Sequence, residues 1–366
     1  MPPPPPTYDL IVIGSGFAGA TTTLSFLSTC ASSTTTPPRR PRVALLEAGH
    51  PSSRPGASRW TMAYLRLSST LTFDGGWAGE MRAASKGAAD EAYMATLARE
   101  ATGTVQWLEE EVGVRLAPDV VLACGGFEGN PEMLAKYVGN RTHELPLIAP
   151  GLVHNKGAGL NMALELGAAT SGSFDGMHCE LVDTRATKPD AVIWGHNYGI
   201  VVNEHCKRFY DEGKGHLFST FEKIALELWR DQNQKGYFVT DDTIMKRFRP
   251  GWVYDTTDQE PEKADTITEL AVKLGCDPDE LQKTVDEFNE ACDKENKTNW
   301  ANPIVKPPFY GYPLMAHLTF TYGGVKTNTN AQVLGTNDVP IPGLWAAGEM
   351  TGLYYNGMGS VHPVVT

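Results

Sequence analysis

A glycine-rich hexapeptide joining two kinds of periodicity constrains this chain most. Residues 8–13 (YDLIVI) form an apolar, β-branched run, residues 21–29 are small and helix-compatible, and Gly14-Ser15-Gly16-Phe17-Ala18-Gly19 lies between them. In a strand that passes into a helix through G-x-G-x-x-G, each glycine has its own task. The first permits a tight turn, the second lets backbone approach a pyrophosphate, and the third lets helix and strand pack closely. The pyrophosphate then rests on the amides at the helix N-terminus. Residues 32–41, rich in Ser, Thr, Pro and Arg, read as an exposed loop that lengthens the spacing to a second apolar run at 43–46, which ends at Glu47. Strand, turn, helix, loop and strand make a βαβ unit and predict a parallel sheet. A carboxylate at Glu47 can accept both hydroxyls of a ribose and disfavours a 2′-phosphate, so FAD or NAD is expected in preference to NADP.

Composition narrows the class further. A chain of 366 residues fits two domains better than one. Its net charge of −12 argues against nucleic acid or an anionic membrane as the main partner, since both select a basic face. Hydrophobic residues at 41% are enough for a packed core, and no apolar run approaches the roughly 20 residues of a membrane helix. Met1 and the five prolines after it offer neither a basic nor an apolar leader region, so no signal peptide and a cytoplasmic location are expected. The six cysteines include no Cys-x-x-Cys pair and read as intracellular thiols, with no zinc site or other metal centre.

Further along, residues 91–112 carry a helical pattern, and a third buried strand at 120–123 runs into Gly125-Gly126. Residues 155–169 are helical again. From about Asp183 to Pro308 the chain is richer in charge, with helices at 216–232 and 264–295. The latter contains Asp277-Pro278, an N-cap followed by proline at the first helical position. Two helices are therefore expected, one ending near Gly275 and the next starting at Asp277. The chain closes on PIPGLWAAGEMTG at 340–352, a strand ending in small residues, and there is no internal repeat.

Several ordered blocks carry a resemblance over nearly the whole length: SRWTMAYLRLSS (58–69), VVLACGGFEGN (120–130), FDGMHCELVD (174–183), GIVVNEHCKRFYDEG (199–213), LTFTYGGVKTN (318–328) and IPGLWAAGEMTG (341–352). At these residues the chain resembles the FAD-dependent fumarate reductase/succinate dehydrogenase flavoprotein family, and within it the tricarballylate dehydrogenase-like branch. The resemblance implies an α/β fold: a Rossmann-like FAD-binding domain of the two-dinucleotide-binding type, formed by residues 7–183 and 309–366, with an inserted α+β capping domain at 184–308. It implies non-covalent FAD, because SRWTMAY has no histidine where respiratory members attach theirs. It also implies hydride transfer between flavin and a C–C bond next to a carboxylate or carbonyl of a small molecule. No electron acceptor is identified. Carried over by motif, Gly14, Gly16, Ala18, Gly19 and Glu47 with Ala48 take the ADP part, Ser58 and Arg59 approach the isoalloxazine, and Gly348 with Glu349 take the ribityl side. His178 stands where the family places a substrate-facing histidine.

The chain departs from the family at several points. No arginine follows RFYDEG (208–213) at the fumarate reductases' proton-donor position, Phe320 stands where they have a histidine, and Tyr354-Tyr355-Asn356-Gly357-Met358 replaces an arginine segment. The remaining acid/base candidates are His178, Tyr322 and His196. His178 and Tyr322 are alternatively core residues, and His196 alternatively lies on the cap surface. Arg208 either binds a carboxylate or pairs with Asp211 or Glu212. Compared with the family, a block between residues 115 and 120 and a C-terminal helix are missing, so a shortened and catalytically inactive member is an alternative to an active enzyme. A 3-ketosteroid Δ1-dehydrogenase-like activity is the other alternative.

Overall fold

The computed structural model describes residues 8–31, 41–49, 73, 76–85, 88–110, 120–213, 215, 217–248, 256–293 and 302–352. Ser58 and Arg59, the connection at 111–119 and residues 353–366 lie outside them. In chain order the elements are β1 (Leu10–Ile13), α1 (Phe17–Ala31), β2 (Val43–Leu46), α2 (Trp77–Ala84), α3 (Glu91–Glu110), β3 (Val120–Leu122), α4 (Pro131–Tyr137), α5 (Ala158–Glu165), β4 (Thr170–Ser171) and β5 (Met177–Asp183). They continue as β6 (Ile200–Asn203), α6 (Leu217–Asp231), β7 (Gly236–Asp241), α7 (Asp242–Met245), β8 (Glu262–Ala264), α8 (Ile267–Leu274), α9 (Pro278–Asp293), β9 (Phe309–Thr321), β10 (Gly324–Val325), β11 (Gln332–Leu334) and β12 (Pro340–Ala346).

Two compact units result. The first comprises Met1–Thr142, Pro150–Met177 and Phe320–Thr366, and the second His143–Ala149 and His178–Thr319. The sequence placed the corresponding boundaries at 184 and 308. The second unit therefore starts at the head of β5, reaches further along β9, and takes in a short earlier segment.

In the first unit a five-stranded sheet has the order β11-β12-β3-β1-β2. The strands β2, β1, β3 and β12 are mutually parallel, and β11 is antiparallel at one edge. The parallel sheet follows from the βαβ pattern, because a crossover helix returns the chain in the same direction. Leu10, Val12 and Phe26 of α1 are buried together, with Val43 and Val121 against them. The chain leaves β1 toward β2 on one side and reaches β3 on the other, so the end of β1 is a topological switch point.

In the second unit an antiparallel sheet has the order β5-β9-β7-β6, with β8 also on β9. All seven residues of β5 and all six of β7 are buried, which requires cover on both faces. Helices α8 and α9 supply part of it through Leu270, Ala271, Leu281, Val285 and Phe288. Their junction follows the sequence expectation: Gly275 takes φ 74°, and Asp277 Oδ1 accepts from the amides of Asp279 and Glu280 at 3.0 Å each. Arg185 ties β5 to β8, donating to Asp183 Oδ2 at 3.0 Å and to Glu262 Oε1 at 2.8 Å.

Candidate functional site

The register of the first sheet builds the site. Leu46, Ile13, Leu122 and Ala346 form one row across β2, β1, β3 and β12. The residues that follow each strand therefore emerge together at the carboxyl edge: Glu47, Gly14, Ala123 and Ala347. In open α/β sheets ligands bind at this edge, beside the switch point.

Gly14 shows why glycine is needed there. Its φ is 104°, and a Cβ would lie 2.3 Å from the Ala123 carbonyl oxygen. A Cβ at Gly19 would lie 2.0 Å from the Gly14 carbonyl oxygen, so that glycine lets α1 close onto the loop. The Gly16 carbonyl accepts the first helical bond from Ala20 N at 2.9 Å, which leaves the next amides of α1 turned toward the carboxyl edge. Glu47 is exposed, with Ala48 beside it. Burial raises the Glu47 pKa, but hydrogen bonds from Ser15 and Gly49 more than offset this and hold the carboxyl below its usual range. Ser15 N donates to Glu47 Oε2 at 3.1 Å and Gly49 N to Oε1 at 2.9 Å. An ionised carboxylate thus stands next to the glycine loop, as a ribose requires.

The last strand closes the other side. Gly348 has φ 73°, and a Cβ on it would stand 3.0 Å from the Ala18 Cβ. The GEM turn after β12 therefore touches the start of α1, and the two cofactor motifs of the sequence meet. Half-buried Glu349 accepts from Thr321 N at 2.9 Å and from Thr321 Oγ1 at 3.4 Å. The residues fit a dinucleotide: a backbone cradle open to a pyrophosphate, an acid for the ribose and a second acid beyond the last strand. Tyr322, in the same unit, is 1% exposed and donates its backbone N–H to Gly176 O at 3.1 Å. Its ring packs 5.8 Å from that of Phe320.

The second unit holds the other candidates. His178 is 1% exposed, with Nδ1 2.6 Å from Glu222 Oε2 and Nε2 3.2 Å from Glu180 Oε1. Burial works against the imidazolium, but these two carboxylates overcome it and raise its pKa to about 9. Both ring nitrogens are thereby engaged within the unit. Glu180 was visible in principle, since residues i and i+2 share one face of a strand. Glu222, on α6, gave no signal. Nearby, burial and the Glu180 charge push Asp190 up to about 8.

His196 is buried, which removes the cap-surface alternative; its Nε2 lies 3.0 Å from Thr220 Oγ1. Arg208 forms a two-pronged ion pair with Glu212, with Nε 2.7 Å from Oε1, and its guanidinium lies over the Phe288 ring. Of the two alternatives for Arg208, the pair with Glu212 is formed. No group of metal-binding side chains occurs among the described residues, and no helix there is long and apolar enough to cross a membrane.

A family model described as an FAD binding domain matches residues 114–362. An NADH:acrylate oxidoreductase of Vibrio harveyi is 31% identical over 250 residues, which make up 64% of this chain and 24% of that protein. The chain spans about a quarter to a half of the length of the curated relatives it matches. Among solved structures, the open conformation of a flavocytochrome c3 fumarate reductase superposes with a TM-score of 0.69 at 20% identity, over 98% of this chain and 76% of that one. A 3-ketosteroid delta1-dehydrogenase from Sterolibacterium denitrificans superposes with a TM-score of 0.66 at 16% identity, over 94% of each chain. At these identities the superpositions speak for the fold alone. With the cofactor edge of the sheet and the family match in agreement, the chain belongs to the FAD binding domain family, among flavoproteins of the fumarate reductase/succinate dehydrogenase type.

Proposed function

We propose that this chain is the flavin-binding and capping part of an oxidoreductase that moves a hydride between FAD and a C–C bond next to a carboxylate or carbonyl, in the manner of tricarballylate dehydrogenase. The observation that carries this is the common row on which β2, β1, β3 and β12 end, because it gathers Gly14, Glu47 and Gly348 at one edge. Gly14, Gly16, Ala18 and Gly19 cradle the pyrophosphate, Glu47 with Ala48 takes the ribose, and Gly348 with Glu349 takes the ribityl chain. Ser58 and Arg59 serve the isoalloxazine side. Bound FAD supplies the capacity to accept or release a hydride. The chain's own residues supply orientation and the proton that moves at the adjacent carbon. For that proton Tyr322 and His178 are the candidates, with His196 behind them.

A second version keeps the chemistry and changes the substrate to a ketone, as in a 3-ketosteroid dehydrogenase. The His178 cluster favours it. One imidazolium is outnumbered by Glu180 and Glu222, so the cluster offers no spare positive charge for a polycarboxylate. An inactive FAD-binding relative is the third version.

The purified 366-residue chain, passed through gel filtration with and without added FAD, decides the first point by its visible spectrum. Retained flavin bands are expected, and a folded but colourless protein would sink the proposal. Anaerobic bleaching of those bands by tricarboxylates, or by 3-ketosteroids instead, separates the two substrate classes. Bleaching by neither identifies the inactive form.

A further inference from the structure

The same carboxyl edge holds a pair of acids whose partnership no motif announces. Glu128 follows Gly125-Gly126-Phe127 just after β3, and Glu349 follows Gly348 just after β12. Because β3 and β12 are parallel neighbours ending on one row, their outgoing loops bring the two side chains together, with the carboxyl groups in hydrogen-bond contact. Glycine at 126 is what admits Glu349: a Cβ there would stand 2.3 Å from Glu349 Oε1 and 2.2 Å from Thr321 Oγ1.

Donors from several segments surround the pair, a backbone hydrogen bond from Gly126 to Glu349 among them. Asn155 Nδ2 donates to Glu128 Oε1 at 2.5 Å, Thr321 N donates to Glu349 Oε1 at 2.9 Å, and Phe127 N donates to Thr321 Oγ1 at 3.1 Å. Glu128 is 2% exposed, and its Oε2 meets no N–H or O–H donor among the described residues. A buried carboxylate oxygen left without a donor is costly, and two touching carboxylates cannot both ionise away from water. A single proton held between them removes both difficulties, since it gives Glu128 Oε2 a partner and leaves one charge where there would be two.

We propose that Glu128 is a positioning residue that shares one proton with Glu349 and so holds the cofactor-facing carboxyl against Thr321. The shared proton stands on the geometry of the protein alone, while the positioning role rests on the FAD reading above. Burial, and then the charge of Glu349, push Glu128 well up; burial pushes Glu349 up to about 7 against hydrogen bonds from Thr321, Glu128 and Gly126 that lower it. The titratable side chain facing them from the segment just after β3 is Cys124, raised by burial and by the Glu349 charge. From the other two flanking segments they meet neutral Asn155 and Thr321.

A carboxyl whose folded pKa exceeds its ordinary 4.5 takes up protons on folding, so stability falls as pH rises from about 4.5 to about 7. Infrared difference spectra of the whole chain at pH 6, with Glu128→Gln and Glu349→Gln as isosteric variants, test the proton directly. Beside the band of Asp190, which burial also keeps protonated at pH 6, a second carboxylic-acid carbonyl stretch should be present in the parent protein and lost in both variants. In FAD titrations, the parent's Kd should rise about fivefold between pH 7 and 8 as the pair loses its proton, and Glu128→Gln should show no such step. A spectrum in which that second band survives both substitutions overturns the shared proton. A lost band with a pH-independent Kd overturns the positioning role. If the parent binds no FAD although the band behaves as expected, the FAD reading falls, and the positioning role with it, while the shared proton stands.

Discussion

At His178, burial and charge pull in opposite directions, and charge wins. The imidazolium lies between Glu180 and Glu222 with a pKa near 9, against about 6.5 for an exposed histidine. Its contribution to stability is therefore complete below about pH 6.5 and lost as pH rises through about 9. Urea denaturation should show a loss on the order of 3 kcal/mol between pH 6.5 and 9.5, and His178→Gln should flatten that slope. This window overlaps the upper end of the one set by Glu128 and Glu349, so the His178→Gln and Glu128→Gln variants tell the two effects apart. Gly14 gives the sharpest residue-scale prediction. Alanine there meets both a positive φ and the Ala123 carbonyl, so Gly14→Ala should cost about 1–3 kcal/mol from backbone strain alone and abolish flavin retention on gel filtration.

At the scale of elements, caps and core faces decide. Asp277 holds two amides of α9, so Asp277→Ala should lower the urea midpoint by about 1 kcal/mol equivalent with an unchanged m-value. Phe26, 4% exposed, anchors α1 to β1, and Phe26→Ala should cost about 3–5 kcal/mol in thermal unfolding. These elements were legible beforehand because their signals are local: a capping acid before proline, a glycine after the last helical residue, an apolar run before a glycine loop. The bonds that join β12 to β3, and Thr321 to Glu349, were not, since hydrogen bonds between segments far apart in sequence leave no local period.

For the molecule as a whole, binding should be confined in its effects. A ligand present at a hundred times its Kd stabilises the state it binds by about 2.7 kcal/mol. Hydrogen exchange with added FAD should therefore slow chiefly at residues 14–19, 47–49 and 347–351, where the four parallel strands end. Slowing spread evenly over the described residues, with no maximum at that edge, would count against the cofactor site.

By itself the sequence determined the βαβ start, the parallel sheet, the helical pair at Asp277 and the glycine turn between β1 and α1. Each is encoded within a few consecutive residues, where steric and capping preferences act directly. Only the tertiary structure decided that Gly348 meets Ala18, that Arg208 is bound to Glu212, that His178 sits between two glutamates and that Glu128 touches Glu349. Those facts depend on which strand ends share a row and which charges are buried together. Desolvation and Coulomb energy are set by distance in space, and spacing along the chain does not contain that distance.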